Sequence, residues 1–287
     1  MNSGARTQGL IAINIAAVIF GSAALYGKLN VSPFWIVSMR AVFAAGALFL
    51  LGFLRSQLSW PSSRQIPILL LTGVILSIHW LTFFASVQLG GIAMATLTFA
   101  AFPLFTVIID VIRSKRKPRV LEIFSALAII GAVKLLVEFD FEGSNESLGA
   151  LAGLISALAF AWFGLASQNL AKSISPLLVS LYQNTAVAVL LLPFLPFVGR
   201  APSGPIDWIC LALLGVVTTA LMHQLYFYAL RRLSATACSS FVALEPVYAI
   251  IFANLFFKEP ITLMVAISAA LILAASFLLL QLESEGC

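Results

Sequence analysis

Charged residues are scarce in this chain: 9% of its 287 residues are Asp, Glu, Lys or Arg and 61% are hydrophobic, where soluble domains carry about 25% and 45–50%. That shortage excludes a soluble domain and indicates an integral membrane protein. Also missing is the alternating polarity over about 10 residues that a spanning barrel strand needs, so the spans are expected to be helices of about 20 apolar residues. Only two histidines and three cysteines are present. Cys210, Cys238 and Cys287 are odd in number and far apart, so neither a disulfide framework nor a CxxC metal pair follows. There is no HExxH pair, no paired catalytic aspartates, no nucleophile set with a base, and no Gly-rich loop ending in Lys-Ser/Thr. An intramembrane enzyme, a metal or other cofactor, and direct use of ATP are therefore not expected.

What the chain has in excess is basic residues, with a net charge of +5. Arg113, Lys115, Arg116, Lys117 and Arg119 cluster directly after an apolar segment. They read as a cytoplasmic loop obeying the positive-inside rule, not as a nucleic-acid surface.

The chain also repeats itself at an offset of 142–143 residues: Pro33 recurs as Pro176, Phe83-Phe84 as Tyr226-Phe227, Pro103 as Pro246 and Pro118 as Pro260. Duplicated membrane units are a mark of transporters, whose site lies between the halves. Charge and turn signals divide the chain into ten segments, at about 8–29, 33–55, 66–89, 92–113, 119–138, 148–172, 176–198, 206–230, 234–257 and 260–282. Segments 3 and 4 meet at Gly90-Gly91 and segments 8 and 9 at Arg231-Arg232-Leu233, both tight hairpins. The first stretch is too long for a signal h-region and belongs to the repeat, so it is expected to be retained. Residues 1–140 form the first five-helix repeat, 141–147 an acidic outer linker, and 148–287 the second repeat.

With the amino terminus inside, the inner loops hold eleven Lys and Arg and the outer loops four, leaving out Arg40 within segment 2. Both termini are thus expected in the cytoplasm, at a bacterial-type inner membrane. Five spans per half is an odd number, so the second half enters from the opposite side. The expected fold is all-α, ten transmembrane helices arranged as two inverted repeats around a central cavity, a build that permits alternating access.

The stretch LEPVYAIIFANLFFKEP, Leu244 to Pro260, resembles the segment 9 signature of the drug/metabolite transporter superfamily. Its first-half counterpart AFPLFTVIIDVIRSKRKP, Ala101 to Pro118, keeps the proline but has Phe102 in place of the first Glu. Ten helices, the repeat and the termini fit the EamA-type branch, and within it the bacterial amino-acid exporters of the YddG type. The resemblance implies a central cavity built mainly by helices 1, 3, 4, 6, 8 and 9 and export of small metabolites, with amino acids as the expected substrates. Membrane lipid surrounds the spans, and ten helices can enclose a site without an obligatory protein partner. Polyspecific export of cations or other metabolites is the alternative, although segment 1 carries Asn14 and no Asp or Glu, where a lipophilic-cation pump would want an anion. Facilitated diffusion and proton antiport both remain open.

Candidate substrate-binding residues follow from the segments. Glu245, a carboxyl expected near a helix midpoint, either binds an ammonium or a proton or braces the break at Pro246. Pro103 and Pro246, expected at mid-helix, are candidate hinges. His79, Phe83 and Ser86 share one face of helix 3, and Thr219, His223 and Tyr226 one face of helix 8; each set is expected to face the same cavity. Phe99, Trp162 and Phe163 are further candidates. Gly149, Gly153, Ala157 and Ala161 form a small-residue stripe for close helix packing. Arg40 is expected to snorkel to the outer headgroups, with pairing to a carboxylate as the alternative.

Overall fold

Proline sets many of the helix starts: among the described residues six α-helices carry it in their first two positions, where its missing N–H leaves no bond unmade. The computed structural model describes residues 3–136, 144–230, 232–233, 241 and 244–285. In chain order the helices are α1 (Ser3–Ser22, prolonged by a 3-10 turn Ala23–Lys28), α2 (Pro33–Leu54), α3 (Ile66–Phe99), α4 (Phe102–Ser114) and α5 (Val120–Leu136). There follow α6 (Asn145–Ser173), α7 (Pro176–Leu191, prolonged by a 3-10 turn Leu192–Phe197), α8 (Pro205–Gly215), a π-helical turn Val216–Leu221, α9 (Met222–Leu230), α10 (Glu245–Phe257) and α11 (Leu263–Glu285).

Among the described residues six helical stretches are long and apolar enough to cross a membrane: Gly4–Lys28, Pro33–Leu54, Ile66–Phe99, Asn145–Ser167, Pro176–Phe197 and Pro205–Tyr226. The protein is therefore multi-pass. The four remaining expected segments correspond to the shorter helices α4, α5 and α10, of 13, 17 and 13 residues, and to α11, whose apolar stretch is Leu263–Leu279. The expected outer linker also ends early: α6 starts inside it at Asn145, capped by Ser144, whose Oγ accepts from the Ser147 N–H at 3.2 Å.

Although α3 is written as one element, it is a hairpin. Gly91 has φ 85° and ψ 173°, a conformation that glycine alone adopts freely. Phe83 and Phe99 would stand about 24 Å apart on a straight helix. Their ring centroids are 5.7 Å apart, so the chain reverses at Gly91.

Packing follows small residues. A Cβ on Gly149 would sit 2.9 Å from the Gly90 nitrogen, and one on Gly153 2.9 Å from Thr98 Cβ, so the stripe on α6 brings it against α3 at backbone distance. The other main partnerships are α5 with α11, α2 with α7 and α8, α3 with α7, α4 with α6, and α1 with α9 and α10. Shifting by 142–143 residues turns α3–α6 into α9–α1, α4–α6 into α10–α1 and α3–α7 into α8–α2. Large apolar side chains such as Phe49, Phe53, Phe124 and Leu127 point outward, as lipid requires.

The two ends of the helix cluster differ. At one, Lys28 Nζ lies 2.5 Å from Glu259 Oε1, the Ile92 N–H donates to Glu259 Oε2 at 3.2 Å, and the Ser32 N–H donates to the Arg200 carbonyl at 2.9 Å. At the other, Tyr182 donates to the Ser59 carbonyl and Tyr228 donates to Gln8 at 3.1 Å. The basic cluster is folded there too: Arg116 makes a two-pronged pair with Glu122 at 2.8 and 3.0 Å and bonds Asp110 at 2.9 Å. These bonds, led by that to Glu122, raise Arg116 above its ordinary pKa.

Candidate functional site

Helices α4 and α10 begin alike. Ala101 (φ −74°, ψ −2°) and Leu244 (φ −81°, ψ −4°) each precede a helix whose second residue is proline, and both helices end at a lysine in left-handed conformation, Lys115 and Lys258. Pro103 and Pro246 therefore sit in first turns and not at mid-helix. The proline ring clashes with the carbonyl four residues back, so the helix breaks before it and restarts at it. In the first half the break occupies Ala100 and Ala101, between the end of α3 and α4.

Glu245 moves with its proline. It is the first residue of α10, 4% exposed, where the helix dipole favours an anion. No hydrogen bond to its carboxylate is present among the described residues, which removes support for the brace reading. A pocket of about 10 Å³, room for roughly one water, lies beside it, bounded by Phe99, Phe102, Pro103, Pro246 and Ser276.

Three sequence candidates come together next to this pocket. His79, Phe83 and Phe99 form one aromatic cluster with Phe102 and Phe160, with ring centroids 5.0–6.3 Å apart. Phe163 stacks on Phe160 at 5.9 Å. The His79 Nδ1 lies 2.8 Å from Ser156 Oγ, a bond between α3 and α6. The rings pack against one another beside the small pocket at Glu245, and a wider opening, about 730 Å³, lies at the Tyr182 end, between the loop 55–65, the start of α7 and α9. A second groove of about 480 Å³ lies at the Lys28 end.

Other candidates lie apart. Trp162 is 45% exposed on a stripe with Leu148, Leu151, Ile155 and Leu158, the lipid side of α6. It stands about 200° around the helix from Phe160, which explains the difference. Tyr226 packs with Ile13, Ala16 and Met222 between α1 and α9, in a different apolar cluster from Phe83. At an offset of 143 His223 corresponds to Trp80, not His79, so the imidazoles are not equivalent. Among the described residues no three His, Cys, Asp or Glu gather to hold a metal ion.

Arg40 corrects the expectation of snorkelling. It is 3% exposed, seven residues into α2, and so about 10 Å from the helix start. Its Nε–H donates to Thr219 Oγ1 at 2.7 Å, and its guanidinium lies 4.0 Å above the centre of the Trp80 ring. Thr219 belongs to the π-turn and donates in turn to the Leu214 carbonyl at 2.9 Å. Trp80 in turn packs in the same apolar cluster as Phe83 and Phe99. A charge at the centre of a bilayer costs at least about 2.5–3.5 kcal/mol, so Arg40 and Glu245 together mark this region as the candidate site. The residues beside Arg40, Ile36, Val37, Ala41 and Ala44, are fully buried, but in an all-apolar helix the sequence does not distinguish that face from the lipid face.

A family model described as the EamA-like transporter family matches residues 7–137 and again 147–281. An uncharacterized transporter of Bacillus subtilis (strain 168), YxxF, is 24% identical over 263 residues, covering 89% of this chain and 84% of that protein. An uncharacterized transporter of Archaeoglobus fulgidus is 24% identical over 267 residues, covering 93% and 94%. A solved crystal structure superposes with a TM-score of 0.67 over 98% of this chain and 99% of that one at 18% identity, a likeness of fold alone.

Proposed function

Because the chain belongs to the EamA-like transporter family and is a multi-pass membrane transporter, we propose that it exports amino acids and similar small zwitterions across a bacterial-type inner membrane. The observation that carries this reading is the buried carboxyl of Glu245 at an aromatic pocket, in a fold that also buries the guanidinium of Arg40. An acid and a base beside rings suit a molecule with an ammonium, a carboxylate and an apolar side chain. A lone anion would suit a cation exporter, but Asn14 of α1 faces outward and bonds its own helix at Leu10.

The movement proposed is alternating access between two inverted five-helix halves, ten spans in all, with both termini in the cytoplasm. Three findings support it. The family model matches twice, the helix partnerships exchange under the repeat offset, and the repeat-equivalent loops 55–65 and 198–204 lie at opposite ends. In this arrangement the ion pair of Lys28 and Glu259 closes the outer end while the 730 Å³ cleft opens to the cytoplasm.

Purified protein in liposomes, offered amino acids, quaternary cations and nucleosides separately, tests the substrate class. Saturable amino-acid flux is expected, and flux of quaternary cations alone would overturn the reading.

A further inference from the structure

We infer that Arg40 is a carboxylate receptor, holding the acid group of the transported molecule while Glu245 takes its ammonium. The inference deepens the proposed function and rests on it for the choice of substrate. It starts from how little of the guanidinium is used. Arginine offers five N–H donors in a planar fork. One, on Nε, goes to Thr219, and Trp80 covers one face of the plane. The four on the terminal nitrogens have no acceptor among the described residues, although the side chain is 3% exposed. Nor does any carboxylate form an ion pair with Arg40 there, Glu245 included. The forked edge is the part of arginine that matches a carboxylate through two parallel bonds.

The repeat supplies an internal control. At an offset of 143 the counterpart of Arg40 is Gln183, 4% exposed on α7. Its Nε2 donates to Thr72 Oγ1 on α3 and to Ser167 Oγ on α6, both at 3.1 Å. Arg40 on α2 reaches the π-turn after α8, the exchanged junction. A neutral amide thus completes that junction in one half with both of its N–H donors used. Packing alone does not call for a cation in the other half, and the charge needs another use.

The charge also reaches the right neighbours. Trp80, on which the guanidinium lies, packs in the apolar cluster that holds Phe83 and Phe99, and Glu245 borders the pocket beside Phe99 and Phe102. A guanidinium and a carboxyl that are both buried and not ion-paired can each take one end of a zwitterion between them. Since Thr219, in the π-turn, both accepts from Arg40 and donates back to the Leu214 carbonyl of α8, seating a carboxylate on Arg40 would bear directly on the irregular part of the α8–α9 rod.

The test measures binding of phenylalanine, 3-phenylpropanoate and phenethylamine to purified wild type, Arg40→Gln and Arg40→Lys. Gln is the residue that the fold already accepts at position 183, and thermal melts check that each variant folds. The expected result is that Arg40→Gln weakens both carboxylates by about 10- to 100-fold and leaves phenethylamine unchanged, with Arg40→Lys between. Wild type that binds phenylalanine no better than phenethylamine overturns the receptor role even if no variant folds. Phenylalanine binding that Arg40→Gln leaves intact overturns it while the amino-acid reading stands. Binding of 3-phenylpropanoate but not phenylalanine, lost in Arg40→Gln, supports the receptor and defeats the amino-acid reading.

Discussion

Gly153 and Gly164 lie on the same helix and should respond in opposite ways to one added methyl group. A Cβ at 153 would meet Thr98 Cβ at 2.9 Å and Ser86 Oγ at 3.1 Å, both on fully buried side chains, whereas one at 164 meets nothing within 4 Å. Gly153→Ala is expected to cost about 1–3 kcal/mol and Gly164→Ala to gain about 0.5–1 kcal/mol, read as shifts of melting temperature in opposite directions. Shifts of one sign would defeat the packing account of α6. For Glu245, replacement by Gln should weaken phenylalanine and phenethylamine by about tenfold and spare 3-phenylpropanoate, the mirror of Arg40→Gln. At this scale the sequence was legible where chemistry is rare. Glu245 and the histidines stood out in a chain with 9% charge, and His79 did join Phe83 and Phe99. Arg40, Phe102 and Phe160 were not legible as site residues, because periodicity cannot select one face of a helix that is apolar all round.

Helix boundaries were readable where proline and serine mark them, as at Ser32-Pro33 and Ser175-Pro176, and the reversal at Gly91 followed from the Gly90-Gly91 pair. The break before α4 was expected at Pro103 itself and lies just upstream of it, at Ala100 and Ala101, whereas the π-turn Val216–Leu221 was not foreseen. The first comes from where a proline ring clashes, one turn upstream of itself. The second is set by tertiary partners, with Thr219 bonded to Arg40 on α2 and to the carbonyl of Leu214, five residues back. These irregular elements are where motion is expected. Pro103→Ala removes both the clash and the missing N–H, so α4 can join the end of α3 as one helix, favoured by up to about 3 kcal/mol. If the break must flex during transport, the rate should fall about tenfold or more with expression preserved, and Pro246→Ala should act alike in the other half. Normal rates in both single variants would reduce the breaks to packing detail.

At the scale of the whole molecule, the repeat makes a sharp demand on topology. Loops that correspond in sequence must face opposite sides of the membrane, because each half is proposed to contain five spans. Loop 55–65 corresponds to 198–204, and the basic cluster around Lys117 to the turn before α11. Ser59 is held by Tyr182 at one end, while Arg200 bonds Ser32, and Glu259 bonds Lys28 and Ile92, at the other. Single cysteines at Ser62, Lys117, Ser203 and Thr262, introduced after replacing the native cysteines, report the sides directly. A membrane-impermeant maleimide added to intact cells is expected to label positions 203 and 262 within minutes. It should reach 62 and 117 only after the cells are permeabilised. The reverse pattern would keep the inverted pairing but flip the molecule and its termini. Labelling of equivalent loops from the same side, 62 together with 203 or 117 together with 262, would remove the inversion itself and with it the symmetry on which alternating access is argued.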